Sequence, residues 1–182
     1  MKSPLLQIAA LLFVTSMTLE AQAVTRSPKS PFQPPSMNFT LPPGFVPTAV
    51  AKNPDVLYDY AIRPDSGNLE IRYRIWPEEK GRTSVPLDMM VRTMALNIGN
   101  GKAVEPQYAT AEDARKEFNA DAGCAVVVPV DSDFGKGYKY CLIWAVRKNG
   151  VGDAYIFFLY SESVMIANLF WKTDALHALR FQ

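Results

Sequence analysis

The chain is poor in the residue types that usually announce a chemistry. Among 182 residues it has one histidine, His177, and two cysteines, Cys124 and Cys141. That leaves no His/Cys cluster with the spacing of a zinc site. A Ser-His-Asp or Cys-His mechanism would have to recruit His177, close to the C-terminus. No Gly-x-Ser-x-Gly elbow occurs, and the Gly-x-Gly stretches at 99–101 and 135–137 lack the strand-to-helix context of phosphate loops. Both read as turns. The net charge is only +1, so there is no global electrostatic reason to bind nucleic acid or an anionic membrane. No apolar run reaches the length of a membrane-spanning helix. Carboxylate pairs for acid–base chemistry remain open, but nothing in the sequence singles one out. No cofactor is implied.

What is present begins with an N-terminal leader pattern. Met1-Lys2, the apolar run Leu5–Val14 and Ala21-Gln22-Ala23 supply the positive start, short apolar core and small-residue cleavage site of a secretory signal peptide. Residues 1–23 are thus expected to be removed, which places the protein outside the cytoplasm, secreted or periplasmic. Residues 24–36 are rich in proline and serine, with four prolines between Thr25 and Ser36, and read as an exposed linker. Asn38-Phe39-Thr40 matches an N-glycosylation sequon, relevant only in a eukaryotic secretory pathway. Residues 37–182 show one composition regime and no repeat, as expected of a single domain.

The best-defined stretch is Val56–Trp76. Asp65-Ser66-Gly67-Asn68 separates two runs with the period-2 alternation of half-buried strands. A turn centred on Ser66-Gly67 puts Ile62 opposite Ile71, Tyr60 opposite Tyr73 and Tyr58 opposite Ile75. On the other face it puts Arg63 opposite Glu70 and Asp59 opposite Arg74. A one-residue slip would ruin both faces, so the pattern fixes the register. Arg72 faces only Ala61 in this register, and Trp76 ends the strand on the same polar face. These two are the candidate binding surface.

Before the hairpin, Met37–Leu41 and Phe45–Val50 read as short edge strands, since prolines 42, 43 and 47 forbid a central position. After it, Leu87, Met90, Val91, Met94 and Ile98 recur at helical spacing between Pro86 and Gly99. Thr110-Ala-Glu-Asp113 opens a second, polar helix through about Asn119. The stretch Asn97–Gly123 otherwise lacks a clear pattern. Cys124–Val130, Tyr138–Arg147 and Ala154–Ser161 are strands, the last two joined by an Asn-Gly turn and apolar on both parities. Such strands must be covered on both faces. Val164–Phe181 is expected to close the chain as a helix packed on the sheet. Asp131-Ser-Asp133-Phe-Gly135 hints at a calcium loop, but Leu142 stands where the bidentate glutamate belongs, and a turn with Asx chemistry fits better.

The two cysteines are the covalent prospect. An oxidising compartment favours a Cys124–Cys141 bridge. Against it, a hairpin looped at Ser132–Gly137 puts Cys124 opposite Ala145 and Cys141 opposite Val128, four strand positions or roughly 13 Å apart. The fold class that follows is α+β, an antiparallel sheet flanked by helices in α/β/α layers.

In order and layout the chain resembles the PsbP family and its relatives. The resemblance rests on Phe39-Thr-Leu-Pro-Pro-Gly-Phe45, the Leu57–Ile75 hairpin, intervening helices, a late antiparallel set and the ending Leu179-Arg180-Phe181. It implies an antiparallel sheet between helical layers and a role in binding or assembling other proteins rather than catalysis. The expected function is therefore a secreted or periplasmic, non-enzymatic accessory domain acting on a protein partner in the envelope or outside the cell. A small extracytoplasmic hydrolase or small-molecule-binding protein with an aromatic-lined pocket is the alternative.

Overall fold

The structure, a computed structural model, describes residues 32–50, 53, 56–65, 67–81, 84–99, 101, 105–162 and 174–182. The leader and most of the linker lie outside the described residues. In chain order come strands β1 (Met37–Phe39), β2 (Phe45–Pro47), β3 (Tyr60–Pro64) and β4 (Leu69–Pro77). Helix α1 (Leu87–Ile98), strand β5 (Gln107–Tyr108), helix α2 (Ala111–Phe118) and strand β6 (Ala122–Pro129) follow. One helical turn, α3 (Ser132–Gly135), precedes β7 (Tyr140–Lys148) and β8 (Gly152–Tyr160), and a 3-10 turn (Asp174–His177) leads into β9 (Leu179–Phe181).

Seven strands form one antiparallel sheet in the order β2-β3-β4-β8-β7-β6-β5, and β1 pairs with β9 in a separate two-stranded sheet. The fold is α+β, as the alternation of apolar residues required. The β3–β4 register is the expected one, with Tyr60 opposite Tyr73 and Ile62 opposite Ile71. β4 then pairs along its length with β8, from Leu69 opposite Tyr160 to Pro77 opposite Gly152. The early hairpin therefore reaches the middle of the sheet.

Both faces of the sheet are covered, which explains the doubly apolar late strands. On one face Leu87, Val91, Met94, Ala95 and Ile98 of α1 pack with Phe134 of α3 over Val126, Ile143, Tyr155 and Phe157. On the other, Ala114 and Phe118 of α2, with Met37, Leu179 and Phe181 of the small sheet, cover Ile71, Tyr73, Ile156 and Phe158. Met90 is half-buried at the edge of the α1 stripe, and Met89 points outward. Pro86 precedes the first turn of α1 and Gly99 stops it. The Thr110 hydroxyl caps α2 by accepting from the Asp113 amide at 3.0 Å.

Two expectations need correction. The chain does not end in a helix: the described part of Val164–Phe181 is a 3-10 turn followed by β9, whose residues Leu179–Phe181 pair with β1. Leu179 and Phe181 are buried while Arg180 is exposed, a period-2 pattern hidden in too short a stretch to separate from a helical stripe. Residues 163–173 lie outside the described residues. The stretch Asn97–Gly123 also carries more order than its sequence suggests, with β5 adding an outer strand through Gln107 opposite Ala125 and Tyr108 opposite Cys124. At Asp131–Gly135 the expected Asx chemistry is present: Asp131 Oδ1 accepts from the Phe134 amide at 2.7 Å and caps α3.

Candidate functional site

Trp76, Asp153 and Arg147 occupy one row of the ladder across β4, β8 and β7. They stand on the α1 face, at the end of the sheet where the chain passes from β4 towards α1. Beside them lie Val85, Met90 and Tyr155, and together these residues line a half-open cleft of about 280 Å³. The Gly150 amide donates to Glu78 at 2.7 Å, pinning the β7–β8 turn to the residues that follow β4. Gly152 has φ +142°, and a Cβ there would collide with the Trp76 carbonyl oxygen. Only glycine allows the two strands to close at this corner.

The floor of the cleft is polar and closed on itself. The Arg147 guanidinium grips Asp153 in bidentate fashion, Nε to Oδ1 at 2.6 Å and Nη2 to Oδ2 at 2.7 Å. Arg147 Nη2 also donates to the Val85 carbonyl at 2.8 Å, and the Tyr155 hydroxyl donates to Asp153 Oδ2 at 3.0 Å. Burial raises the Tyr155 phenol above its ordinary value, and neighbouring Asp153 adds to the effect. A phenol held in this way keeps its proton, and the Asp153 carboxylate already accepts three hydrogen bonds, from Arg147 Nε, Arg147 Nη2 and the Tyr155 hydroxyl. The open side of the cleft offers apolar surface at Trp76, 41% exposed, and Val85, 43% exposed, beside the exposed Glu78, Glu79 and Ser84. Arg74 lies 5.7 Å from the Trp76 ring centre and bonds Asp59 at 2.7 Å, which steadies the indole from one side.

Trp76 is thus on the surface and at a cleft, but Arg72 is not. Arg72 is 2% exposed. Its Nε pairs with Glu70 at 2.5 Å and its Nη1 donates to the Phe134 carbonyl at 2.8 Å. The guanidinium lies between the Tyr58 and Phe134 rings, 4.8 and 4.7 Å from their centres. Its ladder neighbour is Ala61, as expected, but α3 folds over it from sixty residues downstream in the chain. Arg72 holds α3 to the sheet and offers no binding surface. Glu70 consequently pairs with Arg72 rather than with Arg63.

Cys124 and Cys141 are buried and unbridged. Cys124 lies opposite Ala145 and Cys141 opposite Val128, four ladder positions or roughly 13 Å apart, beyond the reach of a disulfide. The compartment argument for a bridge yields to strand register. Burial pushes the Cys124 thiol up to about 12, with Asp88 adding to it, and raises Cys141 as well. Neither is an activated nucleophile. His177 lies elsewhere, with Nδ1 2.8 Å from Asp174 and Nε2 2.8 Å from Glu117. Sequence reasoning missed Arg147, Asp153 and Tyr155, which look like ordinary strand positions until β4, α1 and the β7–β8 turn converge on them.

No protein-family model, no curated protein and no solved structure matches the chain. Among the described residues no helix is long and apolar enough to cross a membrane, and no group of three His, Cys, Asp or Glu is placed to hold a metal ion.

Proposed function

We propose that the mature chain is an extracytoplasmic, non-enzymatic binding domain that acts through protein–protein contacts, with the Trp76 cleft as its point of recognition. The observation that carries this reading is the division of the cleft into a satisfied polar floor and exposed apolar contact surface at Trp76 and Val85. Arg147, Asp153 and Tyr155 use their hydrogen-bonding groups on one another and on Val85. Trp76 and Val85 remain for contact, and Met89 extends the apolar surface of α1. Tryptophan is the residue type most often dominant in protein interfaces. The cleft's volume of about 280 Å³ falls just below the range of small-molecule pockets, about 300–1,000 Å³. It suits one bulky apolar side chain of a partner polypeptide. The leader pattern of residues 1–23 supports a secreted or periplasmic site of action, and the resemblance to the PsbP family supports an accessory role.

Displayed random peptides selected on the mature protein test this. Enriched sequences should share a bulky apolar residue and should bind Trp76→Ala at least tenfold more weakly. Peptides that bind the variant equally well would remove Trp76 from the proposal. A selection that yields no binder at all would argue against the binding role of the cleft.

A further inference from the structure

A second concavity, of about 440 Å³, lies between β1, α2, the 3-10 turn and β9. It shares no residue with the Trp76 cleft. We infer that it is a phosphate-binding site for the free ion or a small phosphate monoester. The argument is one of convergent donors. The lining carries two guanidinium groups, Arg115 and Arg180, with Asn38, Thr40, Asn119, His177 and Gln182, and among the described residues no carboxylate side chain. Arg115 sits in the last turn of α2, exposed to solvent, and no described carboxylate lies within ion-pair distance of it. Arg180 donates one N–H to the Lys116 carbonyl at 2.8 Å, a neutral acceptor, and no described carboxylate side chain lies within ion-pair distance of it. A guanidinium has five donors, so the others remain for a ligand.

Register brings the groups together. Asn38 of β1 is the direct ladder partner of Arg180 of β9, so the two side chains share one face of the small sheet. Two carboxylates stand behind this wall, on the histidine that lines it. Glu117 lies 2.8 Å from His177 Nε2 and 3.6 Å from Lys116 Nζ, and Asp174 lies 2.8 Å from His177 Nδ1. The main-chain oxygen of Gln182 is held by Asn119 at 2.8 Å and by Lys148 at 2.7 Å. Two arginine forks flanked by amide and hydroxyl donors suit a tetrahedral oxyanion with several terminal oxygens. The volume leaves room for a small organic group attached to it.

Binding of inorganic phosphate and of glycerol 3-phosphate to the purified protein, by calorimetry and by shift in Tm, tests the proposal. Sodium chloride at matched ionic strength is the control. At least one of the two phosphates should bind saturably and raise Tm where sodium chloride does not. Arg115→Gln should weaken it tenfold or more, and Arg115→Gln with Arg180→Gln should abolish it. Arg115 is exposed, so its single variant keeps the fold and far-UV circular dichroism will verify this. Equal affinity for both phosphates assigns the site to the free ion; a clear preference for glycerol 3-phosphate assigns it to an ester. No saturable binding of either, a Tm shift matched by sodium chloride, or undiminished binding by Arg115→Gln would overturn it.

Discussion

Arg72 shows how one residue can hold a tertiary contact that its own strand does not reveal. Its charge is buried between two rings and balanced by Glu70 and the Phe134 carbonyl. Removing one partner of such a pair leaves the other charged and desolvated. Arg72→Leu should therefore cost roughly 3 kcal/mol or more in urea unfolding. Arg72→Leu combined with Glu70→Leu should cost clearly less than Arg72→Leu alone. Asp59 and Arg74 make the contrasting case. They pair at 2.7 Å with about a third of each side chain exposed to solvent, so solvent screens the attraction. A double-mutant cycle on Asp59→Ala and Arg74→Ala should give coupling under about 1 kcal/mol. Asp59→Ala should nonetheless be the worse single change, because Asp59 Oδ2 also accepts from the Ile75 amide at 2.7 Å.

Elements differ in how far their own residues explain them. α1 follows from its apolar stripe, and α2 from the Thr110 cap with the carboxylates Glu112 and Asp113 in its first turn. Thr110→Ala should lower stability by about 1 kcal/mol, read from the urea midpoint. The corner between β4 and β8 depends on Gly152 more than on any apolar side chain. Gly152→Ala would drive a methyl into the Trp76 carbonyl. It should lower Tm and shift Trp76 fluorescence, and an unchanged spectrum would show that the corner tolerates a side chain. β9 was not legible, because three residues cannot display a period. Only the partner strand β1, more than a hundred residues earlier, makes Leu179–Phe181 a strand.

For the whole molecule, the two-sided burial of the sheet couples stability to alkaline pH. The folded state holds the Cys124 proton up to about 12, whereas the free thiol releases it near 9. Burial likewise raises Cys141, and pushes Tyr160 up to about 12. A raised folded-state value means that stability is full below the unfolded value and falls as pH climbs towards the folded one. The urea midpoint should hold up to about pH 9 and decline above it. In Cys124→Ala with Cys141→Ala the decline should begin later, leaving the tyrosines to set it. An identical profile in that variant would exclude the thiols as its cause.

The local pattern of residues determined the α+β class, the β3–β4 register, α1, the capped start of α2 and the three late strands. Each is set by side chains within one turn or one hairpin, where alternation and capping act directly on the backbone. The spacing of Cys124 and Cys141 likewise followed from register alone. Tertiary structure decided the rest: that Arg72 lies under α3, that Trp76 meets Arg147, Asp153 and Tyr155 at a cleft, and that Arg115 and Arg180 share a wall. Those outcomes depend on which distant segments cover each face of the sheet. That choice is made by the burial of the whole apolar surface, and no short window of sequence records it.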